Sequence, residues 1–277
     1  MGDDLYPRVL GCMVGGAIGD AFGGPIEMKG PEYLEELAGK LWIDEFLHYG
    51  PDHGVHPLGV WQPSPPRGTG TDDLRNNQAF VECVVRNSGF INSQLLAIEY
   101  IERFREPERF YPSHHNLARQ YLRGKYLRSC AHLGMQELPD GREGRVVRAR
   151  GNGFPTLGGL ISLAPSGLLY RDEPERAYRK AFELGFLDVG YARDATAMMA
   201  AMVSAALGGQ VDARGMVEVG MCTDPFGYGE RRVMVRRIRR FLEIAGEARD
   251  DEDLIGRLSP EVAHLHLFDP VDVLGTP

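Results

Sequence analysis

Apolar positions recur at helical spacing along most of the chain, and strict alternation is scarce. A first helix is predicted over about 6–22, where Gly11, Gly15 and Gly19 fall on one stripe at every fourth position. Glycine costs about 1 kcal/mol per helix position relative to alanine, so such a stripe is expensive unless something packs closely on it. Gly23, Gly24 and Pro25 end that helix. A second begins at Thr71-Asp72-Asp73, carries Phe80, Val81, Val84 and Val85 on one face, and stops at Asn87-Ser88-Gly89. A third covers about 94–105, ahead of Pro107. A fourth starts at Pro174 with Asp172 as its N-cap, and buries Ala177, Tyr178, Ala181, Phe182 and Leu184. A fifth spans 194–207, is nearly apolar all round and closes at Gly208-Gly209, which predicts a buried central helix with its methionines as core. The arginines at 231, 232, 236, 237, 239 and 240 alternate with Val233, Val235, Ile238, Phe241 and Leu242. That pattern is an amphipathic helix with a solvated charged face; a docking patch for an acidic partner is the alternative.

Only residues 144–150 read as extended, and 47–70, rich in Gly, Pro and His, read as a long ordered loop of the functional kind. With no tandem repeat, low-complexity tract or linker, the expectation is one domain over 1–277, all-α, built as an orthogonal multi-helix bundle.

Composition narrows the partners. A hydrophobic content of 43% with 25% charged residues is that of a soluble globular chain with a core. The net charge of −8 argues against nucleic acid, which needs a basic face to neutralise phosphates. Cys12, Cys83, Cys130 and Cys222 are scattered singly, so neither a zinc site nor a disulfide framework is expected, and a reducing cytoplasm fits best. The N-terminus carries Asp3 and Asp4 where a secretory leader wants positive charge. The apolar stretch over 9–22, interrupted by Asp20, is read as too short to span a bilayer, so no membrane partner is expected.

The chemistry concentrates at Thr71-Asp72-Asp73. Adjacent carboxylates repel unless they are solvated, cap a helix or bind a cation. At a helix start the macrodipole favours each by roughly 0.3–1 kcal/mol, so a plain N-cap by Thr71 or Asp72 is the bland explanation. A hydroxyl and carboxylates at one helix tip are also what a hard divalent ion needs. Gly68-Thr69-Gly70 ahead of the triplet allows a close backbone approach to a ligand, and Glu27 lies just past the first helix on a loop stiffened by Pro25.

Taken in order, these motifs resemble the ADP-ribosylglycohydrolase family. Its first helix reads Gly-x-x-x-Gly-Asp-Ala-x-Gly-x-Pro-x-Glu, matched here from Gly15 to Glu27, and its first metal motif is Thr-Asp-Asp-Thr, with Leu74 replacing the last threonine. Gly151-Asn152-Gly153, Pro165-Ser166-Gly167-Leu168-Leu169 and Glu173-Pro174-Glu175-Arg176-Ala177-Tyr178 extend the likeness, over a spacer longer than the family's and without its Met-Arg pair. The resemblance implies that Thr71, Asp72 and Asp73 ligate magnesium, with two ions in the family. It implies that Glu27 stands beside the scissile bond as catalytic carboxylate or gate, together with the Asp72 and Asp73 carboxylates. It also implies that Gly151, Asn152 and Gly153 contact ADP-ribose. Cleaving a ribosyl C1″ bond passes through an oxocarbenium-like state that needs a nearby carboxylate and an activated water.

The family's closing Gly-x-Asp-x-Asp-Thr motif does not occur; Asp269 and Asp272 are the nearest acids. The expectation is a domain lacking its last helices or a reduced metal site, and impaired catalysis. Other candidates are weaker. His114-His115, His264 with His266, and Asp52 with His53 and His56 lack a zinc ligand set, leaving His53 and His56 as the one pair to test. Asp188 and Asp194 read as caps, and 224–229 as a packed turn whose aromatics could otherwise stack on a base. Three functions follow: a magnesium-dependent hydrolase acting on an ADP-ribosylated protein or small ADP-ribosyl compound; a non-catalytic ADP-ribose-binding or structural relative; or a magnesium-dependent hydrolase of another N-glycoside or a phosphate ester.

Overall fold

A computed structural model describes residues 5–27, 29–40, 43–50, 53–135 and 155–262. Among them the chain forms twelve α-helices and no strand. The extended stretch expected at 144–150, the Gly151, Asn152 and Gly153 loop, Asp52, His264, His266, Asp269 and Asp272 lie outside the described residues.

Helix α1 (Leu5–Gly23) runs into a 3-10 turn (Gly24–Ile26) opened by Pro25, and α2 covers Pro31–Ala38. The residues described between 43 and 70 contain no helix, in keeping with a long ordered loop. Then come α3 (Asp72–Arg86), α4 (Ser93–Arg105), α5 (Pro107–Phe110) and α6 (His115–His132). The remainder is α7 (Gly158–Leu163), a 3-10 segment (Ala164–Leu169), α8 (Pro174–Leu184), α9 (Tyr191–Gly208), α10 (Ala213–Cys222), α11 (Val233–Glu247) and α12 (Asp251–Val262).

Helix α9 is the axis, as its all-round apolar pattern predicts. Ala192, Ala197, Ala200 and Ala201 are fully buried, and their small size lets α7, α8, α10 and the 3-10 segment approach closely. One core groups α8, α9 and α11 around Tyr178, Met198, Ile238 and Phe241. A second groups α3, α4 and α6 around Phe80, Leu96, Tyr100 and Leu122.

Four expectations change. Arg232 is not on the outer face of the basic helix: it is 3% exposed, donating to the Asp194 carboxylate at 2.9 Å and to the Met221 carbonyl at 2.9 Å. Asp194 is therefore a buried ion-pair partner, also receiving the Tyr178 hydroxyl, rather than a cap. Arg236, Arg239 and Arg240 do face solvent, with Arg239 paired to Glu230 and Arg240 to Glu261. Asp172 does not cap α8; the Glu173 N–H is capped across the fold by Ser204 Oγ of α9, at 3.0 Å. Asp188 does cap, but in another element: it accepts from Gly159 N at 2.5 Å and Thr156 Oγ1 at 2.6 Å, at the start of α7.

The fourth change concerns α1. Together with its 3-10 turn it forms a run Leu5–Ile26 of 22 residues at mean hydropathy 1.4, long and apolar enough by length and composition to cross a membrane. Nothing packs on its glycine stripe among the described residues: a Cβ at Gly11, Gly15 or Gly19 would meet no atom within 4 Å. Leu10, Val14 and Ile18 are exposed, while Arg8, Val9, Met13 and Ala17 on another face are half-buried, and Ala21 near the C-terminal end is buried.

Candidate functional site

The end of α1 and the start of α3 are stitched together by one carboxylate. Asp20 accepts from the Thr71 backbone N–H at 2.8 Å and from the Thr71 hydroxyl at 2.5 Å. Thr71 thus holds the N-cap position of α3, but its side chain makes no cap bond and is instead directed to Asp20. Gly70 is what makes this possible: a Cβ there would sit 2.6 Å from Asp20 Oδ2. Gly70, immediately before the triplet, therefore admits a protein carboxylate. Gly24 serves similarly on the other side, where a Cβ would collide with the Tyr49 hydroxyl and press on Thr71 Cγ2 at 3.0 Å. Tyr49 in turn donates to the Thr69 carbonyl at 2.8 Å, tying the long loop to the triplet.

These contacts border a cavity of about 330 Å³ lined by Glu27, Tyr49, His53, His56, Val60 and Thr71, among others. His53 stands edge-on to Tyr49 with ring centroids 5.4 Å apart. The two histidines expected to be worth testing do share this wall.

Charge is the dominant feature. Loss of water, then the nearby Asp72 and Asp20 carboxylates, push Glu27 up to about 7, against the pull of Arg75. Burial, followed by Asp72, Asp20 and Glu27, pushes Asp73 up to about 7 as well. Glu27 is exposed at the rim, so water moderates its share, whereas half-buried Asp73 feels the cluster more fully. Asp72, 8% exposed, is raised by burial, with Lys125 and Arg75 pulling it back. Four acids from two helices and a turn thus crowd one place.

A supporting layer stands behind them. The Tyr121 hydroxyl of α6 donates to Asn76 Oδ1 and lies 3.5 Å from the Asp72 carbonyl. Lys125 sits 4.3 Å over the Tyr121 ring, and burial lowers its pKa to about 8. Sequence reasoning placed Asp20 inside a motif without giving it a task, and it missed Arg75, Tyr121 and Lys125. Arg75 was findable, being one turn past Thr71 and Asp72 on the same helix face. Tyr121 and Lys125 were not, since α6 carries no catalytic pattern of its own.

The donor set is all oxygen, which suits a hard cation such as magnesium better than zinc. Thr71 gives its hydroxyl hydrogen to Asp20 and so keeps its oxygen lone pairs for a cation. Burial first, and the neighbouring carboxylates second, raise Glu27 and Asp73. The donor chemistry therefore fits. The described side chains do not by themselves enclose an ion: no group of three His, Cys, Asp or Glu residues among them is close enough to hold one.

No curated protein and no solved structure matches this chain. A family model described as ADP-ribosylglycohydrolase matches residues 1–267, which span the acid cluster, the cavity and every helix described above. The chain belongs to the ADP-ribosylglycohydrolase family.

Proposed function

We propose that this chain hydrolyses the ribosyl C1″ glycosidic bond of an ADP-ribosylated protein or a small ADP-ribosyl compound, with magnesium held by Thr71, Asp72 and Asp73. The observation that carries the reading is the mutual proximity of the Asp20, Glu27, Asp72 and Asp73 carboxylates beside a cavity that Glu27 and Thr71 line, in a chain of this family. When bound, the metal supplies orientation of ribose hydroxyls and a water of lowered pKa. The chain's own residues do the rest. Asp20 fixes Thr71, so that its oxygen faces the helix tip beside Asp72 and Asp73. Glu27 lines the cavity beside Thr71, where its carboxyl can transfer a proton to or from a bound substrate. As a carboxylate it also offsets the positive charge that develops on the ribose. By resemblance, Gly151, Asn152 and Gly153 take the ADP-ribose.

The test is release of ADP-ribose from arginine-linked, serine-linked and small-molecule substrates, with magnesium or with chelator. Asp72→Ala and Asp73→Ala are each expected to lower the rate by at least about a hundredfold, the scale on which loss of one preorganised charge acts. No release by the unaltered protein on any of these substrates defeats the reading. A second reading, a non-catalytic ADP-ribose-binding relative, is supported by the lack of a three-ligand cluster among the described residues. Calorimetry that finds ADP-ribose bound without turnover, and indifferent to chelator, selects it.

A further inference from the structure

We propose that Arg75 is a positioning residue of this cavity, locking the loop wall at 54–60 onto α3 and so setting its distance from Glu27 and Thr71. The proposal rests on the cavity being the ADP-ribosyl site. Arg75 lies three residues after Asp72 and four after Thr71, hence on the same face of α3. Its Nη2 donates to the Gly59 carbonyl at 2.6 Å, a short charge-assisted bond between helix and loop. Its guanidinium lies 4.2 Å over the Trp61 ring and 5.6 Å from the Tyr121 ring.

The loop that Arg75 grips is itself a closed unit. Trp61 Nε1 donates to the Pro57 carbonyl at 2.9 Å, His56 N to the Val60 carbonyl at 3.0 Å, and Gly59 N to the His56 carbonyl at 3.1 Å. Leu58 N donates to His56 Nδ1 at 3.2 Å. Trp61 also stands edge-on to Tyr111 at 5.3 Å and Tyr121 at 6.0 Å. Moving this unit therefore moves His56, Gly59 and Val60 together, and all three line the cavity. Arg75 is where loop, α3 and α6 meet, with its positive charge turned toward Glu27 and Asp72. Its buried Nε–H has no acceptor among the described residues, which leaves one donor of the fork for a water or a ligand oxygen. A lysine would keep the charge but not the planar fork or the stack.

The experiment compares the unaltered protein with Arg75→Lys and Arg75→Met. ADP-ribose affinity is measured by calorimetry in magnesium. Acrylamide quenching of Trp61 is measured in a Trp42→Phe background, since the chain has two tryptophans. Both variants are expected to stay folded by circular dichroism, to weaken ADP-ribose binding by on the order of tenfold or more, and to expose Trp61 to quencher. Full affinity in Arg75→Lys overturns the proposal, because charge alone would then suffice. So does a Trp61 signal in Arg75→Met equal to that of the unaltered protein. Should the unaltered protein bind no ADP-ribose, the functional reading fails. The latch is then decided by Trp61 alone: greater quenching in both variants supports it and unchanged quenching refutes it.

Discussion

Helices α1 and α9 look alike as strings of letters: each is long, apolar and rich in small residues. In the fold they are opposites. Helix α9 buries eleven residues, Ala192 to Leu207, whereas α1 buries Ala21 alone. Helix α9 owes its place to packing on all sides, and to one buried ion pair, Asp194 with Arg232. Helix α1 lies against the bundle along one half-buried face and is tied to α3 where Asp20 grips Thr71. The lesson is that apolar composition states what a helix can bury, while its partners decide what it does bury. The difference also separates the tasks, since α9 carries the core and the end of α1 carries part of the acid cluster.

The sharpest way to break this contrast is Asp194→Ala. It leaves Arg232 charged, 3% exposed and unpaired, and is expected to cost about 3–5 kcal/mol in urea unfolding. A loss below about 1 kcal/mol would mean that the pair is not buried in solution.

The second comparison is electrostatic. Glu27 and Asp73 are raised to about 7, above the ordinary carboxylate range. A carboxyl raised on folding favours the folded state fully below its unfolded value and loses that contribution as pH climbs through the folded value. In magnesium-free buffer, stability should therefore fall between about pH 4.5 and pH 7. Asp73→Asn should flatten that slope, and added magnesium should recover stability at pH 7. A stability that is level or rising over this window, followed by thermal melting, would contradict the crowding of these acids.

The smallest effect tests the glycine stripe. Nothing lies within 4 Å of a Cβ at Gly15, so Gly15→Ala should stabilise by about 0.5–1 kcal/mol through helix propensity alone. Destabilisation instead would reveal something seated on the stripe.

Much of this fold was legible beforehand because helical periodicity and stop residues are local. The bounds of α3, α4, α8 and α9 fall within a few residues of expectation, as Pro174, Asn87 and Gly209 act on their own neighbours. Helices α2, α5, α6, α7, α10 and α12 were not anticipated. Helix α6 has a weak apolar face and no side-chain cap to announce it. At the site, Thr71, Asp72, Asp73 and Glu27 were readable as a motif; of these, Glu27 and Thr71 line the cavity, while Asp72 and Asp73 act on Glu27 and on each other electrostatically. The roles of Asp172, Asp194 and Arg232 were misread for one reason. Each is a polar residue whose partner lies far along the chain or in another element, and local spacing cannot report that partner.

By itself, then, the sequence determined the helical class, the main helix ends, the family motifs and the acid-rich helix tip, all set by short-range sterics and hydrogen bonding. Only the tertiary structure decided that Asp20 engages Thr71, that Gly70 and Gly24 make room for Asp20 and Tyr49, and that Arg75 reaches back to Gly59. It also decided that α9 is buried and α1 is not. Those outcomes depend on which surfaces meet and on how much water they lose, and both belong to the folded chain as a whole.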